Sequence, residues 1–241
     1  MNVAQHLDSL RRDADGLLDA AQAADPHERI ESCPEWTPLQ LVRHVSDVWR
    51  FFTSCVRDGW DDPRAYERPP RPDDDAVPAL AAANADELVA VLAAADPATP
   101  TWSWTGHGDV AWVARRMAQE TAVHRFDVER AARREHRVEA ELAADGIDEF
   151  LFDFLPRAAS TDVPTLGGST HLHCTDIDGE WIVEPDGQGG HQVRRAHEKG
   201  AVALRGTAND LLLVLWRRLQ LDAVDIIGDR DVAEQLIDRP V

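Results

Sequence analysis

The chain has 241 residues, 44% of them apolar, and a formal net charge of −19. That length and apolar content suffice for two modest domains with buried cores, and the excess of acid excludes a nucleic-acid partner, whose phosphates are gripped by Lys and Arg. Met1–His6 lack a basic and then apolar signal region, and no window approaches the roughly 18 apolar residues of a membrane span, so a cytoplasmic protein with no membrane partner is expected.

In chain order, Leu7, Leu10, Ala14, Leu17, Leu18 and Ala21 recur three and four apart and predict an amphipathic helix from Val3 to Ala24, ended by Asp25-Pro26. A second helix opens with Thr37 as cap, Pro38 in the first turn and Gln40 where a capping box needs it, and runs to about Asp58. Gly59 to Pro78 holds five prolines and three successive aspartates, and reads as a long surface loop. A third helix follows from Ala79 to Ala95. Asp109 then caps the strongest helical pattern of the chain, Val110 to about Arg134. Val138 to Leu155 reads as a further helix limited by Pro156.

From about Pro164 the pattern turns to short alternating runs, Thr170–Cys174 and Trp181–Glu184, continued at Val193 and Ala201–Leu204, with turn signals at Asp178-Gly179 and Asp186-Gly187. Helices from Asn209 to Leu221 and Asp231 to Ile237 complete the chain. The expected class is α+β, with a helical domain over residues 1–156 and a small α+β domain over 157–241. Cys33, Cys55 and Cys174 lie far apart with no C-x-x-C, so they read as reduced thiols rather than a disulfide or thiolate zinc framework. Alternation sends His171, His173 and Thr175 to one strand face and Leu172 and Cys174 to the other, which argues against a Cys/His nucleophile or a second metal site there.

The chemistry concentrates on two helices. His44 lies beside the apolar stripe Leu41, Val45, Val48 and Phe52, while Glu120 and His124 share a face with Val113, Met117, Thr121 and Val128. A carboxylate on an inward face is costly unless something pairs it. Two readings of the spacing stand side by side. His44, Glu120 and His124 can be a three-ligand divalent metal site with an open fourth position, two nitrogens and one oxygen suiting Zn²⁺; or the histidines are satisfied interior residues and Glu120 pairs with Arg116 or Arg43. Asp47 and Asp127, each three residues after a histidine, are candidate acceptors for the far ring nitrogens, but the same spacing brings ordinary helix-surface contacts and the surface reading is favoured for both. The segment Trp102–Gly108 precedes the fourth long helix and can line the site entrance, with His107 a minor candidate near the metal.

Cys33-Pro34-Glu35-Trp36-Thr37, Leu41 and His44 resemble the C-P-x-W-T-x-x-x-L-x-x-H opening of the mycothiol-dependent maleylpyruvate isomerase family, and Arg116, Glu120, His124, Arg125, Asp127 and Ala131 match its R-x-x-x-E-x-x-x-H-R-x-D-x-x-x-A pattern. The resemblance implies a DinB-like four-helix bundle whose zinc, or another divalent metal, is held by one residue of the second helix and two of the fourth: His44, Glu120 and His124. It also implies a catalytic arginine from the C-terminal domain, matched by Arg218 with Arg217 beside it. Against that stands a plain placement of both at a helix C-terminus, where positive charge favours the dipole.

The function so implied is activation of a low-molecular-weight thiol, mycothiol as co-substrate, for S-transfer to or cis-trans isomerisation of a small electrophile. Partners would be that thiol and the electrophile, in a monomer or homodimer. A zinc-dependent hydrolase and a non-catalytic, metal-stabilised binding protein are the alternatives.

Overall fold

Helix α1 (Val3–Ala23) starts at Asn2, whose side chain and that of Gln5 satisfy each other's backbone N–H groups in a capping box. Helix α2 (Pro38–Asp58) starts the same way: Gln40 N donates to Thr37 Oγ1 at 3.4 Å and Thr37 N to Gln40 Oε1 at 2.9 Å. It stops at Gly59, which takes the left-handed conformation a side chain resists (φ 67°). After two 3₁₀ turns, Pro63–Ala65 and Asp74–Ala76, comes α3 (Val77–Ala94), opening two residues before the sequence reading because Pro78 is accepted in the first turn. The strands β1 (Pro100–Thr101) and β2 (Gly108–Asp109) pair antiparallel and lead into α4 (Val110–Ala131), where Asp109 accepts from Trp112 N.

These elements come from a computed structural model that describes residues 1–60, 62–106, 108–158, 165–188 and 190–240. The chain divides into two units, Met1–Arg137 and Val138–Val241. In the first, α1 packs on α4 and α3, and α2 on α3 and α4, as a four-helix bundle. Its core takes in the stripe residues Leu10, Leu17, Leu41, Val45, Val113 and Met117, all fully buried, together with Trp49 and Leu88, which no stripe had marked. Polar ties set the register inside it. Trp49 Nε1 donates to Thr121 Oγ1 (3.0 Å), joining α2 to α4, and Asn84 Nδ2 donates to Ser46 Oγ (2.8 Å), joining α3 to α2.

The stretch Asp74–Ala94 is long and apolar enough to cross a membrane, although the sequence reading expected no such window. Alanine carries that apolar character, and in the structure α3 packs in the bundle against α2 and α1.

In the second unit, α5 (Ala140–Glu149) runs through a π-helical turn at Phe150–Phe154 into a 3₁₀ turn at Leu155–Ala158. The sequence reading put this helix in the first domain, ending at residue 156. It groups with the second unit because it packs on α6, and Val138 N donates to the buried Asn209 Oδ1 at 2.8 Å. The sheet comprises β3 (Thr170–Cys174), β4 (Glu180–Pro185), β5 (His191–Arg194), β6 (Val202–Gly206) and β7 (Asp225–Gly228), ordered β5-β4-β3-β6-β7. Strands β3 and β6 are parallel and the other neighbours antiparallel. Four residues at a sheet edge carry almost no alternation, so β7 escaped the sequence reading.

Helix α6 (Ala208–Leu215), capped by Thr207, ends six residues earlier than Leu221, and α7 (Arg230–Ile237) closes the chain. The early stop is a Schellman turn: Arg217 takes φ 58°, Arg217 N donates to Val214 O (2.9 Å) and Arg218 N to Leu213 O (2.7 Å). The C-terminus of α4 is built alike, with Arg133 at φ 57°, Arg133 N on Arg130 O (2.9 Å) and Arg134 N on Glu129 O (2.8 Å). Arginine occupies the position that glycine usually marks, so neither stop was visible in the sequence.

Candidate metal centre

The site begins with the chain entering α2. Ile30 N donates to Trp36 O (3.0 Å) and Trp36 N to Cys33 O (2.8 Å), folding residues 30–36 into a tight loop. The Trp36 ring then lies 4.9 Å from the His44 imidazole, two turns into α2. This contact explains why the first motif joins a tryptophan to a histidine.

From α4, Glu120 and His124 face the same space. Glu120 Oε1 lies 3.2 Å from His124 Nε2 and 3.6 Å from His44 Nε2, and the two imidazoles meet edge to face with centroids 5.6 Å apart. The three ligand atoms all fall within 4.8 Å of one another. The other carboxylate oxygen, Oε2, accepts from Arg116 Nη2 at 3.0 Å. Arg116 thus takes one oxygen of Glu120, and the second oxygen stands between the two histidines. Arg43 turns away to Asp74 (2.5 Å).

His124 is oriented from behind. Its Nδ1 lies 3.0 Å from Asp127 Oδ2, and Ser32 Oγ donates to Asp127 Oδ1 at 2.8 Å. Asp127 is buried, contrary to its reading as a surface residue, because the loop before α2 covers this turn of α4. Asp47 lines the cavity beside His44, half-buried.

Burial alone would raise the Glu120 carboxyl, but the charge of His124, hydrogen bonds from His124 and His44, and the charge of Arg116 outweigh it and hold the group well below the usual carboxylate range. Burial likewise opposes charge on His124, yet Glu120 and Asp127 overcome that penalty and raise it to about 9. A field that holds a proton between these groups also favours a divalent cation there. Two imidazole nitrogens and one carboxylate oxygen, with Asp127 holding the far nitrogen of His124, are a donor set that fits zinc or a similar divalent ion.

A cavity of about 390 Å³ opens over His44 and Glu120. Phe51, Phe52, Trp102 and Trp104 line it together with Tyr66 and Arg68 from the segment before α3. Tyr66 stacks edge to face on Phe51 (5.3 Å), as does Trp102 (5.3 Å). The segment Gly59–Pro78, expected as plain surface loop, thus supplies part of the cavity lining. Its composition signalled a loop, and no periodicity could show where the loop folds back. Trp102 and Trp104 line the cavity and also pack against Phe52; His107 lies outside the described residues. Arg218 belongs to the second unit, just past α6, where its Nη1 donates to Trp216 O (2.8 Å), and Arg217 Nε donates to Ile237 O (2.8 Å).

The model of the mycothiol maleylpyruvate isomerase N-terminal domain matches residues 7–129, and the MDMPI C-terminal domain model matches residues 141–235. A crystal structure of the mycothiol-dependent maleylpyruvate isomerase is similar at 12% identity with a TM-score of 0.62, covering 94% of this chain and 93% of that one; a structure of its histidine-to-alanine variant gives the same figures. At that identity the likeness is one of fold. No curated protein matches the sequence. With both domain models matched in order over most of the chain, and both sequence motifs inside the first, the chain belongs to the mycothiol maleylpyruvate isomerase family.

Proposed function

We propose that the protein is an enzyme that activates a small thiol, of the mycothiol class, at a divalent metal held by His44, Glu120 and His124, for isomerisation of or S-transfer to a small electrophile. The observation that carries this reading is the convergence of Glu120 Oε1 with the Nε2 atoms of both histidines beside a cavity of about 390 Å³. A divalent ion bound there supplies the positive charge that favours the thiolate form of a bound thiol.

The chain's own residues do the rest. Asp127 keeps the His124 Nδ1 proton in place, so that Nε2 presents its lone pair to the site. Arg116 neutralises Glu120 Oε2 and fixes the carboxylate rotamer. The aromatic lining of Phe51, Phe52, Trp102 and Trp104 excludes water and leaves flat surfaces for an unsaturated substrate. Arg68 offers a cation for a substrate carboxylate within the same cavity; Arg218 stays a candidate catalytic arginine on the family resemblance alone.

The test combines metal analysis with calorimetry. The purified protein is expected to carry about one equivalent of divalent metal at this site, to lose it in His44→Ala without loss of helicity, and to bind mycothiol more tightly than simple alkyl thiols. A native protein that neither retains nor binds zinc defeats the metal assignment. Hydrolysis of an ester or amide with no thiol present would favour the hydrolase alternative, for which Asp47 at the cavity edge is the available base.

A further inference from the structure

Outside the bundle, a second convergence of metal-ligating groups lies on the sheet of the C-terminal unit. His171 and His173 are two apart on β3 and project to one face; the antiparallel register sets Glu180 of β4 directly opposite His173, hence on that face as well. His197 belongs to the connection from β5 to β6, which has to pass β4 and β3 because those strands lie between them in the sheet. Its imidazole meets the other two, with ring centroids 5.7 Å from His171 and 6.4 Å from His173.

All three imidazoles turn a nitrogen toward one carboxylate. Glu180 Oε2 lies 3.1 Å from His171 Nε2 and also contacts His197 Nδ1, while Oε1 lies 3.0 Å from His173 Nδ1. The four candidate ligand atoms fall within 4.8 Å of one another. A carboxylate with a quarter of its surface exposed needs no such company, since water satisfies it and arginine is the usual partner when a side chain does. Three imidazoles from a strand and a distant connection, aimed at one point, form a nitrogen-rich set for a borderline-soft divalent cation.

We propose that His171, His173, Glu180 and His197 form a second metal site, closed by four protein ligands and selective for a divalent ion of the zinc class. A full tetrahedral shell leaves no position for substrate, so the ion acts structurally. It ties the connection carrying the exposed His197 to the rigid pair β3–β4, whose His171 is buried. The sequence reading had dismissed a second metal here because alternation separates Cys174 from the histidines. That separation is real, and the site dispenses with the cysteine. It takes its third and fourth ligands from residues 180 and 197, which alternation within β3 cannot see.

Cobalt(II) titration of the full chain, followed by the visible absorption of tetrahedral cobalt, tests this independently of the bundle site. The His44→Ala protein is expected to bind one equivalent of cobalt at stoichiometric concentrations, with the intense bands of a four-coordinate site and a higher Tm. The triple variant His44→Ala/His173→Ala/His197→Ala, its fold checked by circular dichroism, is expected to lose that equivalent, the bands and the Tm shift together. The proposal is overturned if His44→Ala protein takes up no cobalt, or if the triple variant takes up as much. Failure of the bundle site alone would appear instead as wild type and His44→Ala binding the same one equivalent.

Discussion

Asp127 Oδ2 lies 3.0 Å from His124 Nδ1, so the second motif carries both a candidate ligand and the carboxylate that orients it within one turn of α4. Neutralising that carboxylate while keeping its shape tests the relationship. Asp127→Asn is expected to weaken metal affinity by about 10- to 100-fold, read by competition with a coloured chelator, with the helical signal unchanged. Unaltered affinity would mean that Asp127 merely fills the space beneath Ser32.

The Trp49–Thr121 hydrogen bond holds α2 against α4 next to Glu120. Thr121→Val keeps the volume but strands a buried indole N–H, and is expected to cost about 1–3 kcal/mol in denaturant unfolding. A loss well under that range would show that the indole finds another acceptor.

His136 is pushed down to about 4 by burial and then by the charge of Arg125, and its Nε2 is buried with no hydrogen-bond partner among the described residues. The unfolded chain takes a proton near pH 6.5 that the folded protein refuses until about pH 4. Stability is therefore complete above pH 6.5 and declines as pH falls through that window. With partial exposure allowed for, the decline from this residue is about 1–2 kcal/mol. His136→Asn is expected to show a correspondingly shallower fall in Tm between pH 7 and pH 4; identical profiles would remove His136 from the account.

Arg133 and Arg217 both end helices at positive φ, and they should respond differently to glycine. Arg133→Gly relieves a left-handed arginine whose ion pair with Glu28 is long (3.9 Å), and is expected to stabilise by about 0.5–1 kcal/mol after the glycine entropy cost. Arg217→Gly also forfeits the guanidinium bonds to Ile237 O and Arg239 O, so no gain is expected. Equal effects at the two sites would contradict this distinction.

Arg68 is the arginine of the cavity lining. Under the proposed activity, Arg68→Ala is expected to raise KM for a carboxylate-bearing electrophile by about tenfold, the scale of one charge-assisted hydrogen bond in a partly exposed site. Metal content should not change, and an unchanged KM would remove Arg68 from carboxylate binding.

Local chemistry was legible in the residues alone. The capping box at Thr37, the Asp109 cap and the apolar stripes depend on neighbours three and four apart, so α1, α2 and α4 came out close to their observed bounds, while the Asn2 box appeared only in the structure. The inward faces of His44, Glu120 and His124 follow from the same spacing. What folding contributed lies at long sequence separation. Ser32 reaches Asp127 across 95 positions and buries it; Tyr66 and Arg68 fold back beside the His44–Glu120 cavity; β7 exists only as a partner for β6. Glu180 and His197 join His171 and His173 through strand register and a crossing connection. Helical and strand periodicity report which way a residue points on its own element. Which other element waits there is decided by packing, and packing couples residues that no local pattern relates.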